Sequence, residues 1–278
     1  MGRSLTVGLK IGVGPASFVI VSAKLIISNW KNHPESLAQA REILESVDDY
    51  LGSLDEIKEF SLVFCPPFIF IEEVAKILET SHLKHESFLG VQNIAIDDRA
   101  ALTGEISGNM LAKLGVNYVI VGHSERRWKL GESDEMVNKK IKSALNCELT
   151  PIVCIGEKIR DGGYQEFIEN QINQTFKNLT ADEVGKCVIA YEPVWAISTN
   201  PNAKPDTPKN ALESINRINN LLIENFKLEV ENLPKVLYGG SVNSSNVADF
   251  FKNDQIGGVL IGSASIDKEE FIKILQKI

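Results

Sequence analysis

Residues 187–199 read CVIAYEPVWAIST. Cys187 to Tyr191 make a continuous apolar run with no polar alternation, and the run ends on a carboxylate, Glu192, followed at once by Pro193. A strand that is apolar on both faces is buried on both faces, the condition of a strand in a parallel sheet covered by helices. An ionisable group at the end of such a run is costly to bury without a partner. The stretch therefore poses a question of architecture and a question of chemistry together.

The same kind of run recurs on either side of it. KLIIS (24–28), SLVFC (61–65), FLGVQ (88–92), YVIVG (118–122) and PIVCI (151–155) come before, and KVLYG (235–239) and GVLIG (258–262) after. Helical patterns with their own start signals lie between. SDEMVNKKIKSAL opens on Ser133 and carries acids in its first turn, and PKNALESINRINNLLIENF opens behind Thr207 with Pro208 at the first helical position. Eight strands alternating with helices predict an α/β fold, an eight-stranded parallel (β/α)8 barrel forming a single domain over residues 23–278. A doubly wound open sheet is the rival arrangement. No GxGxxG follows the first strand, which weakens its dinucleotide-binding form.

Composition sets the wider bounds. Of 278 residues, 44% are hydrophobic and 24% charged, the balance of a soluble globular chain with ample core. The 29 basic residues against 37 acidic ones give a net charge of -8, which argues against nucleic acid or an anionic membrane as partner. The four cysteines, Cys65, Cys147, Cys154 and Cys187, show no metal spacing; Cys154 and Cys187 sit in strand-like runs as small buried hydrophobes, and the set reads as that of a reducing compartment. No run reaches the roughly 18 apolar residues of a membrane span. Residues 1–22 form an extension of open role, with Arg3, Lys10 and an apolar stretch broken by Gly12, Gly14 and Pro15. A transit peptide, a start placed upstream of the true one and a loosely packed extension all fit it.

A barrel gives the strand ends meaning, because residues just past each strand's C-terminus line the mouth where such folds carry their chemistry. Those positions hold Asn29 and Lys31 after the first strand, His123 after the fourth and Glu192 after the sixth. Gly239, Gly240 and Ser241 follow the seventh strand, and in GSAS (262–265) Gly262 and Ser263 follow the eighth and open the last helix, whose N-terminus offers donors to an anion. Taken singly, each has an ordinary explanation: a solvated acid, a packed imidazole, a turn glycine. Together, a carboxylate, an imidazole, an ammonium and a ring of backbone N–H groups suit proton transfer on a small anion.

In order along the chain, NWK (29–31), TGEIS (103–107), VGHSERR (121–127), GESDE (131–135), CIGE (154–157), AYEPVWAI (190–197) and YGGSV (238–242) resemble the triosephosphate isomerase family. The resemblance runs from about Lys24 to the C-terminus, and it implies a TIM barrel. It also implies interconversion of dihydroxyacetone phosphate and D-glyceraldehyde 3-phosphate through an enediol(ate), in glycolysis and gluconeogenesis, with no cofactor and no metal. By that resemblance Glu192 is the base, His123 donates to the carbonyl oxygens, Lys31 holds the negative charge and Asn29 adds a donor. Glu125 matches a family acid whose role is either structural or catalytic. Ser198, Gly239, Gly240, Ser241, Gly262 and Ser263 fall where the family holds phosphate.

The family also implies a cytoplasmic homodimer, in which Thr103 reaches toward Asn29 and Lys31 of the partner subunit while Glu105 and Arg126 pair across the interface. Three places depart from its pattern. Ser263 stands where a glycine is more usual, and the connection after the first strand is short, with Asn32-His33-Pro34 in place of a bulkier apolar pair. The segment after Glu192 is long, with Ser198 and Asn200 at usual glycine positions and Pro201 and Pro205 added. Two other classes stay open at this point: a Schiff-base aldolase using Lys31 as nucleophile, and a silent relative with a binding role.

Overall fold

A computed structural model describes residues 23–54, 60–85, 87–198, 200 and 203–278. The extension over residues 1–22 and Pro201 lie outside the described residues. Eight parallel strands close into one barrel in sequence order: β1 (Lys24–Asn29), β2 (Phe60–Cys65), β3 (Ser87–Val91), β4 (Tyr118–Val121), β5 (Thr150–Ile155), β6 (Val188–Tyr191), β7 (Val236–Tyr238) and β8 (Gly258–Ile261). Closure comes from β1 pairing with β8, Leu25 against Gly258 through Ser28 against Ile261. The open-sheet alternative is thereby excluded.

Continuous apolar strands serve two cores at once, because successive side chains point to opposite faces. Leu25 and Ile27 join Val63, Cys65, Tyr118, Ile120, Ile152, Cys154 and Leu260 inside the barrel. Ile26, between them, packs outward with Leu62, Val119, Val153 and Ile189 against the helices. Gly258 marks the tightest approach: its φ is +143°, and a Cβ there would stand 1.9 Å from the Leu25 carbonyl oxygen. Only glycine lets β8 meet β1.

The outer layer is helical: α1 (Leu37–Gly52), α2 (Ile71–Thr80), α3 (Gly108–Lys113), α4 (Ser124–Leu130), α5 (Asp134–Asn146), α6 (Tyr164–Thr175), α7 (Ala181–Gly185), α8 (Pro208–Phe226), α9 (Val247–Phe251) and α10 (Lys268–Gln276). The start signals hold. Ser133 caps α5 by accepting from Met136 N–H, and Thr207 caps α8 by accepting from Asn210 N–H, with Pro208 in the first turn. On α8 the buried residues are Ala211, Ser214, Ile215, Ile218, Leu221 and Leu222, the stripe that a 3.6-residue repeat turns toward a sheet. One expectation needs correction. Gly262 and Ser263 do not open the last helix. Ser263–Ser265 is a single 3₁₀ turn, and α10 begins at Lys268 behind Asp267, whose side chain takes over the cap. Among the described residues no helix is long and apolar enough to cross a membrane.

Candidate active site

Each strand end delivers its side chain to the same mouth by a local device. After β6 the Glu192 N–H donates to Ile155 O at 2.8 Å, tying the residue to the end of β5. After β4 the chain turns at Gly122, φ +66°, so that His123 leaves the sheet and caps α4. After β1, Lys31 adopts φ +55°, a left-handed conformation that a side-chain-bearing residue seldom takes without a reason. Its surroundings hold it there: Lys31 N–H donates to Asn29 Oδ1 at 3.1 Å, and Gln92 Nε2 donates to Lys31 O at 2.6 Å and Cys65 O at 2.9 Å.

The three side chains share one pocket of about 130 Å³, lined by Lys31, His123 and Glu192 together with Ser198, Gly239, Gly240, Ser241, Gly262 and Ser263. Glu192 is only 2% exposed. Its Oε2 accepts from Ser124 N–H at 2.9 Å, and its Oε1 stands 3.0 Å from His123 Nε2. The imidazole N–H is not aligned on Oε1, so that buried oxygen has no hydrogen-bond partner. His123 Nδ1 accepts from Glu125 N–H at 3.3 Å. An accepting nitrogen carries no proton, so the neutral ring bears its hydrogen on Nε2, the atom facing the pocket. Burial alone would raise the Glu192 carboxyl. The imidazole of His123, the Ser124 N–H and the Lys31 ammonium oppose it and hold the group below the usual glutamate value.

Lys31 Nζ lies 3.1 Å from Glu125 Oε1, and Lys129 Nζ lies 3.6 Å from the same oxygen. Burial again pushes the Glu125 carboxyl up, and the ammonium groups of Lys31 and Lys129 oppose it and hold it below the usual glutamate value. Glu125 and Asn29 do not line the 130 Å³ pocket. They face an adjoining hollow of about 440 Å³, to which Lys31 and His123 also contribute, with Gln92, Asn93 and Arg126. Arg126 Nε bonds Glu132 Oε1 at 2.5 Å, Thr103 and Glu105 are exposed, and among the described residues no ion pair joins Glu105 to Arg126.

The segment after Glu192 folds over the rim. Ser198 N–H donates to Ser241 Oγ at 2.7 Å, and Ser241 Oγ donates onward to Ala196 O at 2.9 Å. Glu157 anchors the start of that segment, accepting from Trp195 Nε1 at 2.8 Å and from the Tyr191 hydroxyl at 2.9 Å. Two close approaches favour glycine below it. A Cβ at 239 would sit 3.0 Å from Glu192 Cγ, and one at 240 would sit 2.3 Å from the Tyr238 hydroxyl.

Several contributors escaped the sequence reading. Ser124 lay inside HSER, yet its backbone N–H has no sequence signature. Gln92 closed a strand-like run, and only the fold reveals that it clamps Lys31. Glu157 ended CIGE, and its service to Trp195 is set by tertiary placement. Cys154, read as a buried hydrophobe, is buried as expected and lies close enough to Glu192 for the carboxylate to raise its thiol, after burial itself.

A closed parallel barrel with an acid, an imidazole and an ammonium gathered at its C-terminal mouth defines a (β/α)8-barrel enzyme. The family model described as triosephosphate isomerase matches residues 24–278. The chain is 38% identical over 254 residues to the triosephosphate isomerase of Caldanaerobacter subterraneus subsp. tengcongensis, covering 90% of this chain and 98% of that protein. It is 40% identical over 255 residues to that of Aquifex aeolicus (91% and 98%) and 40% identical over 259 residues to that of Chloroherpeton thalassium (91% and 98%). The chain belongs to the triosephosphate isomerase family and is an enzyme with that family's isomerase activity, a step of glycolysis.

Proposed function

We propose that the chain interconverts dihydroxyacetone phosphate and D-glyceraldehyde 3-phosphate by moving one proton on Glu192 through an enediol(ate), and that it serves gluconeogenesis as well as glycolysis. The observation that carries this reading is the Glu192 carboxylate, buried at the wall of the pocket that His123 and Lys31 share, with Oε1 3.0 Å from His123 Nε2. The depressed Glu192 value keeps that base ionised at neutral pH.

A base contributes roughly 10²–10⁴-fold, so the oxyanion must be stabilised as well. His123 offers its Nε2 proton to the carbonyl oxygen, and Lys31 supplies positive charge to the same oxygen and to the phosphate. Asn29 spends Oδ1 on Lys31 N–H, which leaves its amide N–H₂ as the donor. Backbone N–H groups of Gly240, Ser241 and Ser263 receive the phosphate, Gly239 and Gly262 leave room for it, and Ser198 joins them as the segment closes. Glu125 acts through Lys31 as a positioning residue.

The chain works as a cytoplasmic homodimer. In it the 440 Å³ hollow beside Asn29 and Lys31 takes the exposed Leu102–Glu105 loop of a second copy, Thr103 foremost, with Arg126 at its edge. The domain is residues 23–278, with residues 1–22 as an extension. A coupled assay with glyceraldehyde 3-phosphate tests the reaction: turnover without a reducible adduct on borohydride trapping supports it, and an adduct on Lys31 would replace it with Schiff-base chemistry. Sedimentation at micromolar concentration tests the assembly, and an active monomer contradicts it.

A further inference from the structure

The opposite end of the barrel holds a hollow that the reaction does not use. A pocket of about 580 Å³ opens at the N-terminal face. Its floor is Leu25, Tyr118, Thr150 and Val188 at the starts of four strands, and Leu228, Leu233 and Pro234 wall one side. The floor side chains are themselves buried, so the hollow lies outside the filled barrel interior, a largely apolar dish with Asp182, Lys186, Lys227 and Lys235 at its edge. The rim adds Val230, 73% exposed between two lining residues, Glu229 and Glu231. An apolar hollow with an apolar residue stranded at its edge is a surface built to be covered.

The chain itself enters the barrel at this rim. Leu25 N–H donates to Gly257 O at 3.0 Å, and the Ala23 carbonyl accepts from Lys235 Nζ, a residue that lines the hollow. Whatever precedes Ala23 therefore starts at the pocket's edge. What precedes it is apolar: residues 11–22 carry no charge, and residues 18–21 read FVIV. Phe18 lies five positions upstream of Ala23, so the whole tetrad stays within roughly 17 Å of the rim even when fully extended.

We propose that Phe18–Val21 seat in this N-terminal pocket of their own barrel and fill it, so that the extension is a plug for the stability end of the fold. The reaction at the other mouth is independent of it. The size of the hollow, the exit point of β1 and the apolar tetrad beside that exit all favour the chain's own segment over a second copy.

Hydrogen exchange on the full chain tests this, comparing the wild type with Ile20→Asp, with the milder Ile20→Ser and with Arg3→Asp as a control. In the wild type, residues 18–21 are expected to exchange at least tenfold more slowly than a free chain. Ile20→Asp should abolish that protection, speed exchange severalfold at 185–188 and 228–235, and lower Tm by roughly 3–6 °C. Ile20→Ser should do the same to a smaller extent. Arg3→Asp should change nothing, and kcat/KM should stay within twofold throughout. Free-chain exchange of residues 18–21 in the wild type would overturn the proposal, as would indifference of 228–235 to Ile20→Asp. Protection of 228–235 that rises with protein concentration and ignores Ile20→Asp would assign the pocket to a second copy instead.

Discussion

Glu192 and His123 meet at 3.0 Å, Oε1 to Nε2, while the second carboxylate oxygen is fixed at 2.9 Å on the backbone N–H of Ser124, the residue directly after the imidazole. The proposed base and electrophile are thus held by one short piece of chain, the start of α4. Shortening the acid by one methylene breaks that arrangement at both oxygens. Glu192→Asp keeps the charge but withdraws it by about 1 Å, a displacement that costs roughly 10²-fold in well-aligned sites. Steady-state kinetics should give a kcat down by about that factor with KM within a fewfold. An unchanged kcat would remove Glu192 from the chemistry.

Two glycines near the acid separate fold from function. Gly239→Ala brings a Cβ to 3.0 Å from Glu192 Cγ, the movable part of a side chain, and to 3.2 Å from Tyr191 O. The acid must shift by a few tenths of an ångström, so kcat should fall tenfold or more while Tm drops by only about 2–6 °C. Gly156→Ala brings a Cβ to 1.9 Å from the Glu192 carbonyl oxygen, which is backbone fixed between β5 and β6. That chain is expected to fail in soluble expression. Gly156→Ala protein with a wild-type melting curve would show that the strand junction yields.

Lys31 combines a charge and a backbone conformation, and two substitutions part them. Its φ of +55° suits glycine better than any side-chain-bearing residue. Lys31→Ala and Lys31→Gly both lose the ammonium, so both should raise KM at least tenfold. Calorimetry should then place Lys31→Gly about 2–4 °C above Lys31→Ala, the return of roughly 1 kcal/mol of backbone strain less glycine's entropy in the unfolded chain. Equal melting temperatures would mean that the clamp from Gln92 and Asn29, not the residue's own preference, sets this turn at no cost.

The barrel was legible because its strands announce themselves twice, by apolar runs and by the chemistry parked at their ends. Glu192, His123 and Lys31 were found from that placement, and the family motifs then supplied their roles. What stayed hidden is what sequence encodes only through tertiary contact: the Ser124 N–H on Glu192, the Gln92 amide on Lys31, and Glu157 beneath Trp195. Backbone donors have no residue signature, and a glutamine at a strand end looks like any polar cap until the fold brings Lys31 O within 2.6 Å of it. The final helix was misplaced for a related reason. GSAS looked like a helix start, but Ser265 Oγ donates to Gly262 O at 2.7 Å, closing a tight turn in which the hydroxyl satisfies the carbonyl that a helix would have used.

Asp206, just ahead of α8, gives a prediction with a sign. Its Oδ1 accepts from Thr207 N–H at 2.8 Å, but Oδ2 is buried without a hydrogen bond, although the Tyr238 hydroxyl and the Arg160 guanidinium lie nearby. Burial raises the carboxyl above the usual aspartate value, and Thr207, Asn210, Arg160 and Tyr238 together do not bring it back. A carboxyl that is harder to ionise in the fold than in the unfolded chain penalises the fold increasingly as pH rises from the unfolded to the raised folded value, and in full above it. That penalty is absent below the ordinary aspartate pKa of about 3.9. Asp206→Asn keeps the acceptor for Thr207 and removes the charge. Tm should therefore rise at pH 7–8, by about 1–2 °C because solvent still screens the group. The advantage should shrink as pH falls through the raised value and vanish below about pH 4. Thermal melts of both chains from pH 4 to pH 8 check it. A Tm gain that grows toward acid would mean that the native carboxylate is stabilised there, with Arg160 outweighing burial.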